Sequence, residues 1–175
     1  MALTKDEVYY FAFGSNMNEE RMRKRSVHFT ERQCAKLSGY AFKLHKVLKN
    51  GTAAANVMET TTTTENDDCV YGALYRIQEK GLLTLDKFEH RGKSYDRKDV
   101  IVEITSTGEK VKAVTYVALS DKIDDDLKKV ATDYLHHILQ GRDILPKNYV
   151  EWIEKSFTGW CVGAVCQKWF FYFLF

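Results

Sequence analysis

The chain has 175 residues, with 26 Lys and Arg against 24 Asp and Glu, and the resulting formal charge of +2 provides no strong field of one sign. One domain is expected at this length, and a core that buries roughly two-thirds of the unfolded surface needs no staples. Hydrophobic residues at 45% and a single proline, Pro146, exclude a disordered, collagen-like or Pro-rich chain. Nucleic-acid binding calls for a basic face. The one dense basic run, Arg21, Arg23, Lys24 and Arg25, reads instead as a solvated helix face. Cys34, Cys69, Cys161 and Cys166 form no C-x-x-C pair, and MALTKDEVYY has no apolar stretch behind a basic start. A reducing, cytoplasmic setting without a structural metal is the expectation.

In chain order, Val8 to Phe13 is an aromatic and β-branched run that stops at Gly14 and reads as a buried strand. A helix is expected next, capped by Asn16 or Asn18, with Glu19 and Glu20 in its first turn and Arg21 to Arg25 at its polar end. Strands are expected near Phe42 to Val47, Ala53 to Met58, Cys69 to Ile77, Val100 to Ile104 and Val111 to Leu119. Asn50-Gly51 and Thr107-Gly108 mark turns between them, and the first is a hairpin signal. Thr60 to Asp68 is polar and of low complexity, an exposed loop. From Ile123 to Leu139 apolar residues recur at the helical period, which predicts one helix closed by Gly141 as the residue after its end. Pro146 opens a second short helix through Tyr149, Val150, Ile153 and Phe157. The fold class is therefore α+β, a small, mostly antiparallel sheet or barrel with flanking helices. The aromatic stretch from Trp160 to Phe175, interrupted by Gln167-Lys168, falls short of the roughly 20 residues of a membrane-spanning helix. It reads as an arm packed on the core or on a second subunit. We divide the chain into a domain over 1–160 and an extension over 161–175.

Two segments have chemical potential. Phe13-Gly14-Ser15-Asn16 follows a buried strand, so its backbone can approach a ligand closely and present N–H groups to an anion. Taken alone, it is equally a tight turn with an N-cap. Leu85 to Gly92 ends a short helix with Glu89, an acid able to take and return a proton at a cleft edge. Taken alone, Glu89 reads more readily as a solvated carboxylate paired with Lys93 or Arg91, since carboxylates are mostly exposed. Asp86 shares its helix face and is placed to position the turn.

Together these segments carry a resemblance. Tyr10-Phe11-Ala12-Phe13-Gly14-Ser15-Asn16 resembles the aromatic Y-G-S-N loop of the γ-glutamylcyclotransferase family, and Leu85-Asp86-x-x-Glu89 with Tyr95 and Arg97 is similar to its acidic motif. Leu145-Pro146-Lys147-Asn148-Tyr149 is similar to the leucine-proline segment that carries a substrate-contacting tyrosine in animal members. The similarity runs from about Tyr9 to Phe157 and implies a small barrel-like fold, often homodimeric, with no metal or organic cofactor. It implies that Glu89 is the general acid/base. It further implies that Tyr10, Phe11, Ala12, Phe13, Gly14, Ser15 and Asn16 cradle a γ-glutamyl group together with Tyr95, and that Tyr149 closes over it. Two departures stand out: His90 and Arg91 follow Glu89 where the family has glycine, and the second loop aromatic is Phe13 where tyrosine is commoner.

The reaction so implied is cyclisation of a γ-glutamyl amino acid to 5-oxoproline with release of the free amino acid. Holding the chain curled makes attack of the α-amine on its own γ-carbonyl intramolecular. Backbone N–H groups near Gly14 and Ser15 would bind either the α-carboxylate or the developing oxyanion. One alternative keeps the mechanism and releases an amine, as from a γ-glutamylamine. Another class is a binding or interaction protein that uses the same cavity without catalysis. Small γ-glutamyl molecules are the expected partners; nucleic acid and membrane are not.

Overall fold

The computed structural model describes residues 3–60 and 69–162. Strand β1 (Glu7–Ala12) is followed by helix α1 (Glu19–Lys24), then by β2 (Phe29–Ser38), β3 (Tyr40–Val47), β4 (Ala53–Glu59) and β5 (Cys69–Gln78). Helix α2 (Glu79–Phe88), β6 (Tyr95–Ile104), β7 (Lys110–Ala118), β8 (Val130–Ala131), α3 (Thr132–Leu139), α4 (Lys147–Phe157) and β9 (Cys161–Val162) complete the order. Five strands close a barrel in the order β1-β5-β2-β6-β7. Its neighbours are antiparallel except at the closure, where β1 runs parallel to β7 with Tyr10 opposite Val114. The mixed α+β barrel read from the sequence is thus the observed fold.

Closure explains the unbroken apolar run of β1. Tyr10, Phe11, Ala12 and Phe13 are all buried, because a barrel strand covered from outside hides both faces. The cover is the β3–β4 hairpin, which lies against β5 and β7. Its loop around Asn50-Gly51 has Gly51 at φ +73°. At α1, Asn18 rather than Asn16 is the cap, accepting a hydrogen bond from the Arg21 N–H at 3.0 Å.

One strand is not expected from the sequence, and two expectations are corrected. Strand β2, with polar Thr-Glu-Arg-Gln after Phe29, shows no apolar run, yet it lies in the barrel between β5 and β6. The helix expected from Ile123 to Leu139 is confined to Thr132–Leu139. Ile123 and Leu127 still pack on the core, but the backbone there bonds to the hairpin: Asp124 N–H to the His45 carbonyl at 2.9 Å, and Ala53 N–H to the Lys129 carbonyl at 2.6 Å. Tertiary partners replace the helical ladder. Gly141 is not a left-handed cap; it sits in a 3-10 turn (Gln140–Asp143) where a side chain would meet Met17 and Leu145 at 3.1–3.2 Å.

Pro146 precedes α4, which buries Tyr149, Val150, Ile153 and Phe157 as the spacing predicts. Of the 161–175 extension, Cys161–Val162 pair in parallel with β8; residues 163–175, and residues 61–68 of the polar loop, lie outside the described ones. No helix among the described residues is long and apolar enough to cross a membrane.

Candidate active site

The site begins where β1 leaves the barrel. After Phe13 and Gly14, a 3-10 turn (Ser15–Met17) starts with the Met17 N–H bonded to the Gly14 carbonyl at 2.9 Å. A Cβ on Gly14 would stand 3.0 Å from the Ala55 Cβ and 3.3 Å from the Tyr134 hydroxyl. Glycine here, with alanine on β4, lets the loop lie directly on the hairpin and α3. From behind, the Tyr75 hydroxyl lies 3.0 Å from the Asn16 carbonyl oxygen and 3.1 Å from that of Met17. Arg32, reaching over from β2, donates to the Met17 carbonyl at 2.9 Å and is itself held by Asp143 at 2.5 and 2.9 Å. The turn is therefore fixed by its carbonyls, with Ser15 and Asn16 on the pocket wall and Met17 buried against Gly141.

Glu89 arrives from the other side. Leu82 and Leu85 bury one face of α2, and the helix ends with Glu89 N–H bonded to the Leu85 carbonyl at 2.8 Å. Its Oε1 accepts from Arg25 Nη1 at 2.7 Å and from Asn16 Nδ2 at 3.1 Å. The same Arg25 nitrogen donates to Asn16 Oδ1 at 2.9 Å, and Asn16 Nδ2 also donates to the Tyr10 hydroxyl at 2.8 Å. Arg25 lies on the Phe88 ring, 4.6 Å from its centroid. The Arg25 and Glu89 side chains are only 11% and 17% exposed, so this is a largely desolvated, charge-assisted pair. The described bonds of Glu89 all fall on Oε1; Oε2 carries none.

One turn earlier, Asp86 is wholly occupied. Arg97 grips it with two bonds of 2.8 Å, and the Tyr116 hydroxyl donates to it at 2.7 Å. Burial alone would raise its pKa, but the Arg97 and Tyr116 bonds outweigh burial and hold it below the usual 3.8. After Glu89, His90 adopts φ +49°, the left-handed conformation that glycine accepts most readily. The turn shape that glycine favours is therefore kept with a histidine in place. The exposed imidazole has no part in the Glu89 bonds.

The pocket is lined by Tyr10, Phe11, Ala12, Phe13, Gly14, Ser15 and Asn16 together with Glu89 and Tyr95, nine of the ten residues singled out from the sequence. Tyr149 is the exception. It lies on α4 between Tyr71 and Trp152, at centroid distances of 5.2 and 5.4 Å, and forms no part of the pocket wall. The sequence reading did not single out Ala55, Thr115, Tyr116 and Tyr134, which complete the wall. Tyr95 donates to the Ala55 carbonyl at 2.9 Å, and the Tyr134 hydroxyl accepts from the Ala55 N–H at 2.8 Å. Burial, with Glu89's charge adding to it, keeps Tyr10 protonated far above neutral pH; burial likewise pushes the Tyr134 hydroxyl up to about 12.

Arg25, expected on a solvated helix face, is instead only 11% exposed and paired with Glu89. A signal existed: Arg23 and Lys24 have Glu19 and Glu20 four residues earlier, as the observed pairs show, whereas Arg25 has Arg21 there and so looks for an acid elsewhere.

A family model described as gamma-glutamyl cyclotransferase, AIG2-like, matches residues 10–136. The chain belongs to this family. A comparison with curated protein sequences returns no match. Among solved structures, a protein titled gamma-glutamyl cyclotransferase superimposes with a TM-score of 0.71 at 21% identity, over 86% of this chain and 88% of that one. YkqA from Bacillus subtilis gives 0.76 at 25% identity over 91% of this chain, which spans 57% of YkqA. A glutathione-specific γ-glutamyl cyclotransferase from yeast gives 0.63 at 12% identity, covering 90% and 98% of the two chains. These likenesses show the γ-glutamyl cyclotransferase fold, and the family match supports cyclotransferase activity in general.

Proposed function

We propose that the chain converts γ-glutamyl amino acids to 5-oxoproline and a free amino acid, with Glu89 as general acid/base. The supporting observation is that Glu89 has one oxygen fixed by Arg25 and Asn16 and the other uncommitted, at a pocket walled by the Tyr10 to Asn16 loop. A proton acceptor needs this combination, a fixed direction and an available lone pair.

In this reading the γ-glutamyl group lies curled against the loop with its ammonium at Glu89 Oε2. Glu89 takes a proton from the amine nitrogen, which then bonds to the γ-carbonyl carbon. The tetrahedral centre collapses by breaking the bond to the departing nitrogen, to which Glu89 returns a proton. Over the whole reaction the attacking nitrogen passes from ammonium to lactam N–H, and the two protons it gives up balance the two that the departing amine gains. The neutral Tyr10 hydroxyl accepts from Asn16, so its own proton remains for a substrate oxygen. The amides of Ser15 and Asn16, which precede the first donor of the 3-10 turn, serve the α-carboxylate or the oxyanion.

The test is incubation of purified protein with γ-glutamyl-alanine, ε-(γ-glutamyl)lysine and glutathione separately, with 5-oxoproline followed by mass spectrometry. Release from γ-glutamyl-alanine is the expected result. Release from ε-(γ-glutamyl)lysine alone would move the assignment to an amine leaving group, and none from any would remove the catalytic reading.

A further inference from the structure

Beside the pocket, Lys46 has no anion among the described residues. Lys46 on β3 is only 6% exposed, and its ammonium lies over the ring of Tyr95, 5.3 Å from the centroid. Tyr95 is itself pocket wall, bonded to Ala55, the wall residue next to Lys46's strand partner Ala54. No carboxylate of the described residues pairs with Lys46, in a molecule where most buried cations are paired: Arg25 with Glu89, Arg32 with Asp143, Arg76 with Glu7.

Its inward position is built into the strand. The β3–β4 register slips between Leu44 and Lys46, so Leu44 faces Ala55 and Lys46 faces Ala54, with His45 as the extra residue. Such bulges re-aim side chains next to active sites. Here the bulge hides three consecutive residues, Leu44, His45 and Lys46. His45 is consumed by Asp125 at 2.7 Å and Asn56 at 3.0 Å, whereas Lys46 gains only a ring face. The stem of Lys46 is buried while its ammonium is not fully enclosed, so an anion can still reach it. Burial pulls the Lys46 pKa below 10.5, with Glu89's charge opposing. On the other flank, the half-buried Arg21 has its Nε without a hydrogen-bond partner.

We propose that Lys46 receives a carboxylate of the substrate and thereby selects acidic γ-glutamyl compounds. This deepens the proposed function and rests on it. A γ-glutamyl amino acid offers two carboxylates, the α-carboxylate of the glutamyl moiety and that of the leaving amino acid, and the experiment separates them.

Steady-state release of 5-oxoproline is measured for wild type, Lys46→Met and Lys46→Arg on γ-glutamyl-alanine, on γ-glutamyl-alaninamide, and on the analogue whose α-carboxylate is a carboxamide. A charge-assisted contact predicts a KM raised roughly 10- to 100-fold in Lys46→Met on γ-glutamyl-alanine, with kcat little changed and most of the loss recovered in Lys46→Arg. The analogue lacking the carboxylate that Lys46 holds should be insensitive to the substitution. An unchanged KM, or equal losses on all three substrates, would overturn the inference. Should Lys46→Met fail to fold, wild type alone decides: replacing the held carboxylate must raise KM by the same factor, and indifference to both replacements refutes it. Glutarate binding by calorimetry gives a readout independent of turnover. If no γ-glutamyl compound is cleaved but Lys46→Met weakens glutarate binding, the cyclotransferase reading fails and the Lys46 site stands. Turnover with a KM indifferent to Lys46 is the converse, and neither cleavage nor glutarate binding would sink both.

Discussion

Asp86 and Glu89 sit three residues apart on one helix, and the protein uses them in opposite ways. Asp86 is saturated: Arg97 supplies two bonds and Tyr116 a third, tying α2 to β6 and β7. Glu89 is held through a single oxygen by Arg25 and Asn16, and its second oxygen is left open at the pocket. Composition does not separate the two acids, since both are partly buried carboxylates that face arginines. The number of lone pairs already committed does. An acid with both oxygens engaged holds structure together, whereas one held through a single oxygen can exchange a proton at the other.

The sharpest way to break this contrast is Glu89→Gln. The amide keeps the size and still accepts from Arg25 through its oxygen, but it cannot take a proton. Turnover should fall by roughly 10²-fold or more, with the thermal midpoint within a few degrees of wild type. Near-normal release of 5-oxoproline by this variant would show that Glu89 is not the base.

Asp86→Asn should do the reverse. Losing the charge opposite Arg97 in a site only 17% exposed should lower unfolding free energy by about 2 kcal/mol, the range of a hydrogen bond to a charged group, as read by urea denaturation. The pH dependence has a definite sign. Burial raises the Asp86 pKa, but the Arg97 bonds take it below 3.8, so its contribution is complete above the unfolded value near 3.9 and is lost as pH falls through the lower folded value. The gap between wild type and Asp86→Asn should therefore be constant from neutral pH down to about pH 5 and narrow below pH 4. A gap that persists unchanged to pH 2 would mean that the carboxylate charge is not what stabilises this cluster.

The chain's legibility follows from how local its determinants are. β1, α1, the hairpin and α4 each carry their signal within a few residues, as apolar run, cap or period, and the loop and acid of the site were legible because short motifs carry them. β2 was not, because its place in the barrel depends on two neighbouring strands that hide an otherwise polar segment. The stretch before α3 has a helical period, yet its backbone partners lie on the hairpin more than 70 residues earlier. Tyr149 matched a motif in sequence but packs among aromatics away from the pocket, while Arg25 reaches Glu89 from 64 residues away and reads locally as one more surface charge. Side chains that meet across the barrel leave their trace in what is missing nearby, here an acid four residues before Arg25.

The smallest effect tests whether the turn after Glu89 is set by shape alone. At φ +49°, His90 bears the steric cost of a left-handed residue, about 1–2 kcal/mol, and glycine would relieve it while giving back roughly 0.5–1 kcal/mol in unfolded-chain entropy. His90→Gly should thus be neutral or raise the thermal midpoint by up to about 5 °C, with turnover unchanged. His90→Val, β-branched where φ is positive, should lose more than about 1 kcal/mol and reduce turnover as Glu89 is displaced. If His90→Gly instead lowered turnover at full stability, the imidazole itself would be taking part in the proton transfers. The division of labour on this helix end would then extend from two acids to an acid and a base, with His90 as the second proton carrier beside Glu89.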